Sequence, residues 1–277
     1  MIPTCFVRLL SIIIMICLSV AAAALAAQAA NPEYEPKVGP GKDVGWLPTE
    51  QAVVELMLDM AKVTPEDYVI DLGSGDGRTV ITAAKRGAHA LGVEYNPDLV
   101  AFSKRNAARE GVSDKVEFIQ ADLFEIDFSS ATVVTLFLRN DLNLKLRPRI
   151  LDMKPGVRVV SNSFNMEEWT PDQTESVEEE RCANLCCTAY FWIVPAKVEG
   201  TWKLAQGELK FLQSFQMLSG TFNSGGKTVP VIGRLQGDEI SFTVGADRYT
   251  GRVAGNAMEG QVSSGGSTAK WIATRRQ

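Results

Sequence analysis

The amino-acid sequence predicts a doubly wound α/β fold with a mostly parallel seven-stranded sheet, followed by a small all-β domain. Between residues 46 and 196, short apolar segments alternate with helical segments. Parallel strands need such crossover connections. From residue 200 to 277 the helical pattern stops, and apolar residues alternate with polar ones between glycine-containing turns. We therefore expect an α/β domain over 46–196 and an antiparallel meander or partly closed barrel over 200–277.

The segments of the first domain follow one another in a regular order. Thr49 is the predicted cap of the first helix, whose apolar positions recur at helical spacing. Pro97 suits the first turn of a later helix. The last two strands, 174–179 and 187–194, are expected to pair antiparallel about a turn near 181–184. The preceding segments are helix 50–63, strand 68–72, helix 78–86, strand 90–94, helix 97–110, strands 116–120 and 133–138, helix 142–153 and strand 157–161.

The aromatic residues of the second domain are the predicted source of its core. They are Trp202, Phe211, Phe215, Phe222 and Trp271. Tight turns are expected at residues 237–238 and 255–256.

The N-terminus has the composition of a targeting segment. Arg8 precedes an apolar run over residues 9–27, and Ala27-Gln28-Ala29 fits a signal-peptide cleavage site. The run also approaches the roughly 20 residues that span a bilayer, so a membrane anchor over residues 9–29 is the alternative. Either arrangement places the folded part outside the cytoplasm, and we expect an exported protein, periplasmic or secreted. Residues 31–45 have linker composition.

Charge and cysteine content narrow the class of protein. The formal net charge is −5, which weighs against a nucleic-acid binder that works through a broad basic face. Beyond residue 30 three cysteines remain, and Cys182 could pair with Cys186 or Cys187 in an exported protein. Three reduced, buried thiols are the equally weighted alternative. With His89 as the only histidine and one cysteine cluster, we expect no metal site.

A glycine-rich loop lies between the first strand and the second helix. Residues 71–77 read Asp-Leu-Gly-Ser-Gly-Asp-Gly, and backbone amides at such a loop point toward a ligand. The glycine spacing is G-x-G-x-G, because Arg78 stands where the third glycine of a dinucleotide fold would come. This spacing disfavours a nicotinamide oxidoreductase.

Acidic residues also follow the next two strands. Glu94 ends the second strand, where a carboxylate can accept hydrogen bonds from both hydroxyls of a ribose. Asp122 follows the third strand and can accept a hydrogen bond from an adenine amino group, while Leu123 offers a backbone amide and an apolar edge. Since the carboxyl ends of parallel strands share one sheet edge, these residues are expected to converge on one ligand crevice.

These three motifs resemble those of the class I, seven-strand S-adenosylmethionine (SAM)-dependent methyltransferases. The resemblance covers residues 46–195. It implies SAM as the methyl donor, with Glu94 on the ribose and with Asp122 and Leu123 at the adenine. The loop residues implied to surround the amino-acid portion of SAM are Asp71, Gly73, Ser74, Gly75 and Gly77.

Within that superfamily, three segments look closest to the small protein-lysine methyltransferases that modify the c subunit of ATP synthase, and to their bacterial relatives. They are residues 48–49, 69–78 and 134–138. The resemblance implies an amine acceptor, either a protein lysine or a small molecule. The segment after the fourth strand has no Asn-Pro-Pro-Tyr or Asp-Pro-Pro-Tyr motif, which disfavours methylation of base amino groups.

Methyl transfer from a sulfonium is an in-line displacement, so it requires alignment of the acceptor and no covalent nucleophile. The sequence identifies no catalytic side chain. Candidate wall residues of the acceptor site precede the first helix or follow the fourth strand, and they are Trp46, Thr49, Phe137 and Asn140. A competing hypothesis is an exported SAM-binding protein without turnover, because SAM is normally made and kept in the cytoplasm.

Overall fold

The computed structural model describes residue 43 and residues 45–178, 182 and 186–276. The predicted signal peptide or anchor, most of the predicted linker and most of the turn near 181–184 lie outside the described residues. Within the described ranges, none of the helices combines the length and apolar character needed to cross a bilayer.

The first domain is a seven-stranded sheet with helices between successive strands. Strand β7 pairs antiparallel with both of its neighbours, and the other four pairs are parallel. The strand order is β3-β2-β1-β4-β5-β7-β6, which confirms the predicted doubly wound fold. The elements are α1 (Gln51–Met60), β1 (Tyr68–Leu72), α2 (Arg78–Lys85), β2 (His89–Glu94), α3 (Pro97–Arg109), β3 (Val116–Gln120), β4 (Val133–Leu136), α4 (Asn140–Leu151), β5 (Arg158–Asn162), β6 (Gln173–Ser176) and β7 (Thr188–Ile193).

The central strands β1, β4 and β5 are buried on both faces, which explains their nearly continuous apolar sequences. Two apolar clusters fill the space on either side of the sheet. One is formed mainly with α1 and α2, and the other with α4 and the residues around Trp169 and Trp192.

Two predicted helix starts differ from the structure. The N-cap residue of α1 is Glu50 rather than Thr49, because the carbonyl oxygen of Thr49 accepts a hydrogen bond from Arg78 Nη1 at 2.7 Å and the side chain is buried. Helix α4 begins at Asn140, two residues before its predicted start at Leu142, since the extended backbone of Arg139 already turns the chain into the helix.

The structure pairs Cys182 with Cys187 in a disulfide, so Cys187 rather than Cys186 is the partner. This disulfide closes a five-residue separation at the end of the β6–β7 hairpin. Cys182 also packs into the apolar cluster that contains α1, so the disulfide ties the hairpin to the helix layer.

The second domain is a closed antiparallel barrel of eight strands rather than a meander or partly closed barrel. It closes because the first strand pairs with the last, with Trp202 opposite Arg275 and Leu204 opposite Ala273. The strands are β8 (Gly200–Leu204), β9 (Gly207–Ser214), β10 (Met217–Ser224), β11 (Lys227–Gln236), β12 (Glu239–Val244), β13 (Asp247–Ala254), β14 (Ala257–Ser264) and β15 (Ser267–Arg275).

The barrel interior contains four of the five predicted core aromatics, namely Trp202, Phe211, Phe222 and Trp271. Phe215 is the exception. It lies in the turn between β9 and β10 with φ of 53°, and it packs against the apolar cluster of the first domain. The prediction that Phe215 belongs to the barrel core is therefore wrong, because this turn points toward the neighbouring domain.

Two glycines make room for the indole of Trp271 inside the barrel. Gly251 and Gly260 are register partners on β13 and β14, and Gly260 is opposite Trp271 on β15. A Cβ atom at Gly251 would lie 2.8 Å from Trp271 Cζ2, and one at Gly260 would lie 1.9 Å from the Thr250 carbonyl oxygen. That oxygen accepts a hydrogen bond from Trp271 Nε1 at 3.1 Å. The paired glycines are thus a packing requirement of the barrel.

We expect Gly260→Ala to destabilise the protein by about 1–3 kcal/mol, since the added methyl group must displace backbone atoms in a filled interior. Chemical denaturation followed by tryptophan fluorescence measures the loss. Ser263→Ala, at an exposed position of the same strand, is the matched control and should leave stability unchanged. Equal stability of the two variants would contradict this account.

Candidate active site

The glycine-rich loop leaves β1 in a conformation that favours glycine at alternate positions. Gly73, Gly75 and Gly77 have φ values of 85°, 54° and 82°, in the left-handed region. The amides of Gly73 and Ser74 both donate to the carbonyl oxygen of Val93, at 2.8 and 3.0 Å. The loop is therefore fastened to the strand residue that precedes Glu94.

The carboxylate of Glu94 bridges the loop and the start of α3. Its Oε2 atom accepts a hydrogen bond from the amide of Gly75 at 3.0 Å, and its Oε1 atom accepts one from the amide of Asn96 at 2.9 Å. Each carboxylate oxygen keeps acceptor capacity beyond one such bond. Glu94 can thus position the loop and still accept hydrogen bonds from ligand hydroxyls, which is the role that the sequence predicted for it.

Asp71 is a buried carboxyl group at the base of the loop. The hydroxyl of Thr135 on β4 donates to its Oδ1 atom at 2.6 Å. Burial raises the pKa of Asp71 to about 7, the Thr135 hydrogen bond opposes the rise, and the charges of Glu94 and Asp76 add to it. The carboxyl group therefore changes protonation near neutral pH.

Arg78 braces the loop from the opposite side. Its guanidinium group forms a bidentate pair with the buried carboxylate of Asp76 and also donates to the Thr49 carbonyl oxygen. The residue that replaces the third glycine of a dinucleotide fold thus connects the loop to the segment before α1.

Ser74 has a buried hydroxyl group without a hydrogen-bond partner in the described part of the chain. Gly92 on β2 makes room for it, because a Cβ atom there would lie 2.7 Å from Ser74 Oγ and 2.5 Å from the ring of Phe118. Gly92 was not identified from the sequence, although a glycine within a buried strand often marks a close approach. An unpaired buried hydroxyl is costly, so its position at the crevice fits a polar ligand group.

Asp122 and Leu123 follow β3 beside the end of β2. The amide of Ala121 donates to the Glu94 carbonyl oxygen at 3.0 Å, which brings Asp122 next to the Glu94 strand end. Asp122 Oδ1 accepts a hydrogen bond from the amide of Phe124 at 2.9 Å, so the carboxylate also caps a turn. The half-buried Leu123 packs against the apolar cluster that contains α4. The structure thus brings the predicted adenine-side residues to the predicted edge.

The four predicted acceptor-side residues have different environments. The indole of Trp46 lies against the central glycine of the loop, since a Cβ atom at Gly75 would lie 2.3 Å from Trp46 Nε1. Phe137 stacks on Phe164 with ring centroids 6.2 Å apart, and Asn140 Nδ2 donates to Asn165 Oδ1 at 3.2 Å. Thr49 contributes its carbonyl oxygen to Arg78.

A polar cluster behind Phe137 and Asn140 was not predicted from the sequence. The buried Asn143 of α4 donates from Nδ2 to Ser161 Oγ at 3.2 Å and to the Phe164 carbonyl oxygen at 3.0 Å. The only available signal was an asparagine within a helix and polar residues at the end of β5. The cluster joins α4 to the segment that follows β5.

These features fit SAM. The loop offers close backbone approach, Ser74 offers a buried hydroxyl group, and Glu94 offers acceptor capacity beside them. Asp71 supplies a carboxyl group beneath the loop that could face the cationic amino-acid portion. Among the described residues, no group of His, Cys, Asp and Glu side chains could hold a metal ion.

The sheet order and the loop define a class I SAM-dependent methyltransferase, and comparisons with known proteins agree. The model of the ANTKMT methyltransferase domain matches residues 71–173. A protein-lysine N-methyltransferase of Saccharolobus islandicus (strain REY15A) is 40% identical over 154 residues, which are 54% of this chain and 94% of that protein. The chain therefore belongs to the same family of SAM-dependent methyltransferases as this archaeal enzyme, and SAM is its methyl donor.

Two further similarities extend the comparison. A lysine N-methyltransferase of the ATP synthase C subunit, from Rattus norvegicus, is 39% identical over 107 residues, and the chain spans half the length of that relative and matches it over 38% of its own. A crystal structure described as an RNA methyltransferase from Salinibacter ruber, in complex with S-adenosyl-L-homocysteine, is 47% identical. It covers 55% of this chain and 96% of its own, with a TM-score of 0.51.

We expect Gly75→Ala to weaken SAM binding by about tenfold or more. The added Cβ atom would collide with the Trp46 indole, and an L-residue with a left-handed φ costs about 1–3 kcal/mol. Calorimetric titration with SAM measures the change. Gly111→Ala is the matched control, because Gly111 also has a left-handed φ of 69° but would meet nothing within 4 Å. Equal SAM affinity in the two variants would contradict the role of Gly75.

We expect Asp71 to make stability depend on pH. Between its usual carboxyl pKa of 3.8 and its folded pKa of about 7, the folded state holds a proton that the unfolded state has lost. Stability conferred by the protonated carboxyl therefore falls as pH rises through this window. Urea denaturation at pH 5 and pH 8 should show that Asp71→Asn stabilises the protein relative to wild type at pH 8 more than at pH 5. The exposed Asp114→Asn is the control, and a pH-independent effect of Asp71→Asn would exclude this titration.

Proposed function

We propose that the protein transfers the methyl group of SAM to an amine, and that the acceptor is a lysine side chain of a protein. The observation that carries this proposal is the composition of the wall beside the glycine-rich loop. Phe137 and Phe164 provide stacked aromatic rings, and Asn140 and Asn165 provide neutral amides. Such a wall suits a long apolar side chain that ends in an amine.

Bound SAM supplies an electrophilic methyl group on its sulfonium. The protein must then hold the acceptor nitrogen in line with that group and exclude water. A lysine ammonium can first bind to an aromatic face through a cation–π interaction. Transfer to a less hydrated, apolar surface lowers the lysine pKa, because burial disfavours the charged form. Loss of the proton exposes the nitrogen lone pair that attacks the methyl group, and amide oxygens can orient the remaining N–H bonds.

The names of two relatives support a lysine acceptor, since the archaeal and rat proteins are both called lysine N-methyltransferases. The Salinibacter protein is described as an RNA methyltransferase. For this chain, the net charge of −5 favours a protein acceptor over RNA, because RNA binding relies on clustered basic residues. A small-molecule amine uses the same chemistry and is a separate outcome of the test.

The test uses purified full-length protein, radiolabelled SAM and three acceptor pools: total protein, total RNA and metabolites below the size of peptides. We expect label in the protein pool, recovered as N-methyl-lysine after hydrolysis. Prior acetylation of the lysines in that pool should abolish labelling, and Gly75→Ala should reduce it. Label confined to RNA or to small amines would overturn the protein-lysine proposal. SAM binding without transfer to any pool would favour the non-catalytic alternative.

We also propose that the protein is exported, either released after cleavage or retained at the membrane by residues 9–29. The apolar run and its Ala27-Gln28-Ala29 ending support export. The Cys182–Cys187 disulfide supports it independently, since disulfides persist in oxidising compartments. An exported enzyme would require a supply of SAM outside the cytoplasm.

For this proposal we expect the protein in an exported fraction with Cys182 and Cys187 protected from alkylation until reduction. Mass spectrometry of the intact chain distinguishes the two arms. Loss of residues 1–29 indicates a cleaved signal peptide, whereas a full-length chain extracted only by detergent indicates an anchor. A full-length protein that remains soluble in the cytoplasm, with reduced cysteines, would contradict export.

A further inference from the structure

The turn between β9 and β10 projects from the barrel into the first domain. The ring of Phe215 in this turn stacks on Trp169 with centroids 6.1 Å apart and planes inclined by 13°. The guanidinium group of Arg147 on α4 lies 5.4 Å from the centroid of the same ring. Phe215 therefore sits between α4 and Trp169, which belongs to the segment between β5 and β6. We call this segment, residues 163–172, the β5–β6 loop.

Polar contacts from the barrel hold the end of the same loop. The side chain of Gln216 is buried, and its Nε2 atom donates to the Thr170 carbonyl oxygen at 2.7 Å. The Gln216 carbonyl oxygen accepts a hydrogen bond from the amide of Leu235, which fixes the turn to β11. Arg234, also on β11, forms an ion pair with Asp172. The barrel thus grips three positions near the C-terminal end of the loop.

The N-terminal end of the β5–β6 loop forms the proposed acceptor wall. Phe164 stacks on Phe137, and Asn165 accepts a hydrogen bond from Asn140. The amide of Phe164 donates to the Asn162 carbonyl oxygen at 2.7 Å, and the intervening Ser163 has a positive φ of 58°. This tight turn is strained, so contacts elsewhere in the loop must stabilise it.

The middle of the loop joins its two ends rigidly. Met166 and Trp169 form a β-bridge, and the Met166 carbonyl oxygen accepts a hydrogen bond from Arg147 Nη1 at 2.8 Å. Trp192 Nε1 on β7 donates to the Trp169 carbonyl oxygen at 2.7 Å. Because Arg147 contacts both Met166 and the ring of Phe215, one side chain connects the barrel turn to the acceptor half of the loop.

We propose that the barrel holds the β5–β6 loop in the shape that binds the methyl acceptor, and that Phe215 and Gln216 are positioning residues for this reaction. The inference rests on the proposed function, since it places the acceptor against Phe137, Phe164 and their amide neighbours. The archaeal relative is 94% covered by 54% of this chain, so a large part of the chain extends beyond what that enzyme contains. The barrel therefore adapts a shared cofactor domain to its own acceptor.

The first experiment separates acceptor binding from SAM binding in the full-length protein. Phe215→Ala removes the stacked ring, and Gln216→Leu removes the donor while keeping most of the side-chain volume. We expect each to raise the acceptor KM or lower kcat by at least about fivefold, a loss of about 1 kcal/mol in kcat/KM, while the SAM Kd stays within about twofold of wild type. Phe215→Tyr keeps the ring and should restore wild-type values.

Leu212→Ala is the matched barrel control, since Leu212 is 55% exposed on β9 and points away from this contact. It should not change either parameter. Unchanged acceptor kinetics in Phe215→Ala and Gln216→Leu would overturn the proposal. A parallel loss of SAM affinity would also overturn it, because that result indicates a general loss of structure.

Hydrogen exchange gives a readout that does not need a known acceptor. In Gln216→Leu, we expect faster amide exchange in residues 163–172 and unchanged exchange in residues 69–77. If either substitution prevents folding, Arg234→Gln, which removes the ion pair with Asp172, replaces it in both measurements. Unchanged exchange in the β5–β6 loop would refute coupling between barrel and loop. If wild type methylates no acceptor, the proposed function fails while the exchange result still decides the coupling.

Discussion

The hydrogen bonds between the glycine-rich loop and the end of β2 are the constraint on which the site depends. The amides of Gly73 and Ser74 share the Val93 carbonyl oxygen, and Glu94 accepts from Gly75. These bonds hold the loop in the left-handed conformation that its glycines adopt. They also align the ends of β1 and β2, so that Asp71 and Glu94 occupy one edge. The ligand crevice therefore follows from backbone pairing before any side chain contacts a ligand.

The site has two halves with different supports. The cofactor half is built from consecutive residues and from neighbouring strands, and its geometry is local. The acceptor half is built from Phe137, Asn140 and the β5–β6 loop, and its last support, the turn at Phe215, comes from another domain. A local site can persist across a family, whereas a site braced by a separate domain can change with that domain.

The fold and the cofactor half could be predicted from sequence because their signals are short-range. Alternating strand and helix patterns define the sheet, and glycine spacing with acids at strand ends defines the crevice. The acceptor half was only partly predictable, since Asn143, Phe164 and Asn165 acquire their positions through contacts across the fold. Phe215 was assigned to the wrong core for the same reason: its composition fits either domain, and only the direction of its turn decides. Barrel closure likewise depends on two strands that lie far apart in the chain.

Closure of the barrel places its entry and exit side by side. Strand β8 pairs with β15, and the guanidinium group of Arg275 donates to the carbonyl oxygens of Lys197 and Glu199 just before the first barrel strand. The domain consequently has a single stem, much as a graft has one junction with its stock. A module attached in this way can be gained, lost or exchanged at one point of a gene without breaking any strand of the methyltransferase sheet.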